Sequence, residues 1–221
     1  MNMHSASLAI SPHQGSDTGG QNAPMESYQA EIAAAAARLI VEEGLDYGAA
    51  KRRAAKQLGM GGRGGLPDNR EVEAAVEEYI ALFCADTQPQ ELRALRELAL
   101  QWMLRLARFR PHLGGAVWRG TATRHSDIYL QLFCEDSKAA EIALIDMGVR
   151  FEVRSVPGFH GELVDALSVH VRCDTLQENI GVHLLVYDQD DIRGALQPDD
   201  QGRRPRGEAD ALRRIMENTQ P

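Results

Sequence analysis

The residues of this chain best suited to chemistry lie in one stretch, AVWRGTATRHSDIYLQLF, from Ala116 to Phe133. Asp127 heads an alternating run, and the polar loop before it carries Arg119, Gly120, Thr121, Arg124 and His125. Two guanidiniums beside a hydroxyl suit phosphate, because Arg meets phosphate oxygens bidentately and needs no metal to do so. After Asp127, Ile128, Leu130 and Leu132 alternate with Tyr129, Gln131 and Phe133, which is the period of a strand. Upstream, Ala116–Trp118 reads as a short apolar strand and Gly120-Thr121 as the turn between the two. Residues two apart on a strand share a face, so position 129 is where a second carboxylate would join Asp127. A phenol stands there instead. With an unperturbed pKa of about 10 it does not replace a carboxylate at neutral pH. Asp127 also has a purely structural reading, as a strand-start carboxylate bonded to nearby backbone amides.

The stretch resembles the signature of the nucleotidyltransferase superfamily, the polymerase-β-like fold. There a Gly-Ser or Gly-Gly corner precedes an Asp-x-Asp or Asp-x-Glu strand. The likeness covers roughly residues 95–156 and is best at 115–133. It implies that Gly120 and Thr121 hold the phosphates of a nucleoside triphosphate and that Arg119 and Arg124 neutralise their charge. It further implies that Asp127 is catalytic and binds Mg²⁺, joined by a carboxylate from a neighbouring strand. Glu152 matches that carboxylate by order, with Asp165 next; Glu152 reads equally well as a solvent-facing strand residue. The implied reaction is Mg²⁺-dependent transfer of a nucleotidyl group to an acceptor the sequence does not identify, driven by positioning and charge stabilisation. Tyr129 compromises a two-metal clamp. A degenerate core that binds a nucleotide without turning it over therefore stands as the alternative.

A chain of 221 residues is long enough for one well-buried domain with a helical appendage. The net charge of −8 argues against a protein that coats nucleic acid. A local basic helix, residues 49–58 with Lys51, Arg52, Arg53 and Lys56, nevertheless leaves a DNA-binding regulator as a further alternative. It lacks the run of Thr, Ser, Gln and Tyr that reads base edges. Cys84, Cys134 and Cys173 are widely spaced and fit buried thiols in a reducing cytoplasm. His170 and His183 fall mid-strand with no spacing that completes a zinc set. No apolar run approaches the roughly 20 residues that span a bilayer, so no membrane partner is expected. GGRGG in the segment 60–69 is not a phosphate loop, for it lacks the G-x-x-x-x-G-K-[ST] pattern and a preceding strand.

The elements that must position these residues follow from periodicity. Residues 1–25 read as a disordered tail without the basic start and apolar core of a signal peptide. Residues 26–110 read as a helical region. One alanine-rich helix ends at Gly44, a second ends at Gly59, a third is capped by Asp68 or Asn69, and a fourth is Leu-rich. Residues 111–221 read as a nucleotidyltransferase-like core with a terminal helix, with further strands over 149–156, 165–173 and 180–188 and a helix over 137–148. Arg203, Arg204 and Arg206 lie in a basic loop that either meets an anion or is solvated. The expected class is α+β, a helical N-terminal region followed by a small mixed sheet with flanking helices.

Overall fold

The computed structural model describes residues 23–59, 65–158, 161–198 and 202–218. Most of the expected tail and part of the glycine-rich linker lie outside the described residues. The chain is α+β, with helices N-terminal to a five-stranded mixed sheet.

Three helices, α1 (Ala23–Glu43), α2 (Tyr47–Gln57) and α3 (Asn69–Phe83), share one core. Alanine explains how they pack: Ala36, Ala37, Ala50 and Ala54 are fully buried, and a methyl side chain lets helix backbones approach closely. Their ends are written into the sequence. Gly44 takes φ +69° and closes α1 by donating to the Ile40 carbonyl at 3.0 Å. Asp46 caps α2 through the Ala49 amide at 2.8 Å. Asp68 and Glu71 form a reciprocal capping box on α3. The cations of α2 are partly committed to this packing. Lys51 donates to the Pro67 carbonyl at 3.0 Å and to Asn69 at 2.9 Å, and Arg53 pairs with Glu43.

The fourth helix, α4 (Gln88–Arg105), belongs by packing to the sheet. Leu92, Leu95, Leu98, Trp102 and Met103 face its core, whereas Leu104 points to solvent. The strands are β1 (His112–Gly114), β2 (Ile128–Cys134), β3 (Glu152–Pro157), β4 (Leu163–Cys173) and β5 (Glu178–Asp188), in the order β1-β2-β5-β4-β3. Only β2 and β5 run parallel; the other neighbours are antiparallel. Leu113, Ile128, Leu130, Leu132, Leu167, Val182 and Leu184 bury one face against α4, α6 (Ala139–Asp146) and α8 (Ala209–Asn218). The opposite face is apolar only at one end, where Phe133, Val164 and Tyr187 pack under α7 (Ile192–Ala195). Its other end carries Tyr129, His183 and Ser168, paired side by side in register.

One expected strand is a helix. Ala116–Trp118 lies in α5 (Gly115–Arg119), and the strand sits just upstream at His112–Gly114. A three-residue apolar run does not distinguish the two states. Gly115, at φ +68°, turns the chain out of β1 and starts the helical turn. Val117 is then fully buried. The segment before α8 returns across β1 through a bridge between Leu113 and Gly207, and the Trp118 indole donates to the Arg204 carbonyl at 2.8 Å.

Candidate functional site

The loop from α5 to β2 is held from behind by α4. Gln88, itself buried, donates to the carbonyls of Gly120 and Ala122, both at 2.9 Å. Arg96 donates to the carbonyls of Val117 at 3.1 Å and Trp118 at 3.4 Å, satisfying oxygens that a short helix leaves bare at its C-terminus. Thr123 donates to the Val41 carbonyl at 3.2 Å, and Gly44 presses its Cα against the backbone of His125. The loop is thus wedged between the sheet and the helical unit, and a cavity of about 230 Å³ opens at that seam. Asp46 and Tyr47 line it from the helical side, and Gly115, Arg119, Thr121, Ser126, Asp127 and Tyr129 from the sheet side.

Asp127 sits where the sequence places it, at the head of β2 and in the cavity wall. Its Oδ1 accepts the Gly181 amide at 3.0 Å and its Oδ2 meets His183 Nε2 at 3.1 Å. A Cβ on Gly181 would stand 2.6 Å from that carboxylate, so glycine is what permits the approach. Burial pushes the Asp127 carboxyl up, yet the His183 hydrogen bond and charge, with the Gly181 amide, outweigh it and hold the group below its ordinary value. An ionised Asp127 only accepts, so the His183 Nε2 that faces it carries the proton of a singly protonated ring. Nδ1, 2.9 Å from Ser168 Oγ, then accepts from the serine. Tyr129 stacks on the His183 ring at 4.9 Å. Burial first, then the charges of Asp127 and Asp46, raise the Tyr129 phenol.

Other expected site residues are placed differently. Gly120 and Thr121 are not a phosphate-cradling corner. Both of their amides donate to the Ala116 carbonyl, at 2.9 and 3.0 Å, and Gly120 at φ +98° is the left-handed cap of α5. The turn between strand and helix is Gly114-Gly115, and the Gly-Gly pair after Leu113 was the signal for it. Thr121 does reach the cavity through its side chain. The residue is 7% exposed, and Oγ1 has no hydrogen-bond partner among the described residues. Arg119 lines the cavity but is ion-paired with Glu73 and donates to the Tyr47 hydroxyl at 3.3 Å. Arg124 turns away, to the Leu176 carbonyl at 2.9 Å and Glu178 at 3.4 Å.

Glu152 is not brought to Asp127. Its strand is the far edge of the sheet, three spacings of about 4.8 Å from β2, and its side chain is exposed and paired with Arg154 at 3.1 Å. Asp165 pairs with Val186, whose partner on β2 is Leu132, well along the strand from Asp127, and bonds Lys138 at 3.3 Å. The Mg²⁺ set that the resemblance implies is therefore not assembled. Asp127 alone stands at the cavity's β2 wall with both oxygens already accepting, and His183 occupies the register position beside Tyr129. Among the described residues no group of three or more His, Cys, Asp or Glu side chains is placed to hold a metal ion. The described residues brought to this wall do not form the carboxylate set of a protein-held divalent ion.

Asp46, Tyr47, Ser168 and His183 were not joined to the site by the sequence. The first two come from a distant helix start, and the last two are joined to it only by strand order. Burial drives the Cys134 thiol up to about 11, which removes it as a nucleophile at neutral pH. No helix among the described residues is long and apolar enough to cross a membrane. Comparison with protein-family models, curated proteins and solved structures finds no match to this chain.

Proposed function

We propose that this chain is a nucleotidyltransferase-like protein that binds a nucleotide or nucleoside at the seam between its helical unit and its sheet without transferring it. The observation that carries the reading is Thr121. Its hydroxyl is buried, unpartnered and in the wall of the cavity that also presents Asp127 and Tyr129. An orphaned buried hydroxyl is destabilising by about 1–3 kcal/mol, and a ligand that bonds it recovers that loss. Tyr129 and His183, where transfer chemistry would want carboxylates, support binding over turnover. The basic helix gives DNA no comparable support, since Lys51 and Arg53 already hold α2 to its neighbours.

The test is thermal unfolding and calorimetry with nucleosides and each nucleoside triphosphate, in Mg²⁺ and in EDTA, alongside an assay for pyrophosphate release. Ligand at a hundred times its dissociation constant adds about 2.7 kcal/mol, or roughly 5–10 °C for a chain of this size. The expected result is a shift that survives EDTA with no pyrophosphate formed. Mg²⁺-dependent release of pyrophosphate would refute the non-transferring reading. No shift with any nucleoside or nucleotide would refute the ligand class.

A further inference from the structure

Charge in the cavity bears on which part of such a ligand is recognised, an inference that rests on the reading above. Two carboxylates line the wall, Asp46 from the helical side and Asp127 from the sheet side. Among the described residues of the wall the cation is Arg119, which is neutralised by Glu73 and donates through Nη2 to the Tyr47 hydroxyl. Arg124, the second guanidinium of the loop, is bonded to the β4–β5 turn. Gly120 and Thr121 spend their amides on the cap of α5, so they leave no cradle for an anion. What the wall does offer is aromatic and hydroxylic: the rings of Tyr47 and Tyr129 and the hydroxyls of Thr121 and Ser126. The raised Tyr129 phenol, which feels both Asp127 and Asp46 after burial, reports the same negative field.

We infer that the cavity recognises the nucleoside and rejects the polyphosphate. Base stacking on a phenol tolerates any base, and ribose hydroxyls match Thr121 and the carboxylate acceptors. A triphosphate brings several negative charges towards Asp46 and Asp127, and the described wall offers only the already paired Arg119 to meet them, which is repulsion built against the wrong ligand.

Calorimetry on the full chain at low salt tests this with adenosine, guanosine, cytidine and uridine and their mono-, di- and triphosphates. At least one nucleoside is expected to bind about tenfold or more tighter than its own triphosphate, with the gap narrowing as salt screens the wall. Asp46→Asn keeps the helix cap, because Asn caps as well as Asp, and removes one charge. It is expected to narrow the gap severalfold, because the triphosphate gains more than the nucleoside from the lost charge. Glu73→Gln, which releases Arg119 towards the cavity, is expected to raise triphosphate affinity selectively. Affinity that climbs with phosphate number in the wild type overturns this inference and leaves the nucleotide reading standing. Absence of binding by every member of the series overturns both.

Discussion

Replacing Thr121 by Val separates the cost of a binding group from its use. Val keeps the branched shape and exchanges the hydroxyl for a methyl at a residue that is 7% exposed. The hydroxyl has no partner among the described residues, so burying it forfeits its bond to water with nothing returned. The penalty for such a group is about 1–3 kcal/mol. Cavity solvent offsets part of it, and the free protein is expected to gain about 1 kcal/mol on substitution. For a chain of this length that raises Tm by roughly 2–4 °C. Binding changes in the opposite sense. A hydrogen bond from a neutral donor contributes about 0.5–1.5 kcal/mol, so Thr121→Val is expected to weaken the ligand by about two- to tenfold. Thr121→Ser restores the hydroxyl and is expected to restore affinity. Differential scanning calorimetry of the free variants and titration with the nucleoside series read both quantities. A Thr121→Val chain that is destabilised by about 1 kcal/mol or more, with affinity unchanged, would refute the argument, because the hydroxyl would then serve the fold and not a ligand.

Asp127→Asn tests the His183 pairing through pH. Because the folded Asp127 carboxyl is held below its ordinary value, its stabilising contribution is present above the unfolded value of about 4 and is lost as pH falls through the folded value. Asp127→Asn is therefore expected to flatten the acid side of the stability profile in urea titrations, and an unchanged acid slope would count against the pairing. Glu152→Gln is expected to change neither ligand affinity nor stability beyond about 0.5 kcal/mol, as at other exposed positions; loss of binding there would reinstate it as a site residue. Gly207→Ala drives a Cβ into the Trp118 ring beside the Leu113 bridge. It is expected to destabilise by about 1–3 kcal/mol through overpacking, read by chemical denaturation, and a neutral result would mean that the returning segment is not packed as described.

Local signals carried most of the elements. Asp68 or Asn69 marked the start of α3, alternation from Ile128 to Phe133 marked β2, and the strands of the β4–β5 hairpin were visible on either side of the turn at Asp174–Gln177. Asp127 was legible because it heads a run whose period is unambiguous. Three apolar residues at Ala116–Trp118 fit strand and helix alike, and the wrong state moved the corner from Gly114-Gly115 to Gly120-Thr121. Strand order is the larger gap. Nothing near Glu152 says that its strand is an edge separated from β2 by β5 and β4, and nothing near His183 says that it lies beside Tyr129. Asp46 reads locally as a helix cap, which it is, and its second position in the cavity wall arises only when α1 closes on the 120–126 loop.

The parallel pairing of β2 with β5 ties these observations together. It sets Tyr129 against His183, and the antiparallel β4 then sets Ser168 against His183. Asp127, placed one residue before β2, meets the amide of Gly181 and the far nitrogen of the same ring. Acids at positions 129 and 183 would have faced Asp127 across unscreened carboxylates, an arrangement that needs a cation to be stable. A phenol and an imidazole stack instead, and the imidazole and the Gly181 amide hold the carboxylate by hydrogen bonds, so this corner of the sheet is stable without an ion. The same exchange leaves an aromatic, hydroxyl-lined wall facing Tyr47 across the seam. Of the two rings, Tyr129 also lines the cavity, and it contributes the aromatic surface on which the proposed nucleoside reading rests.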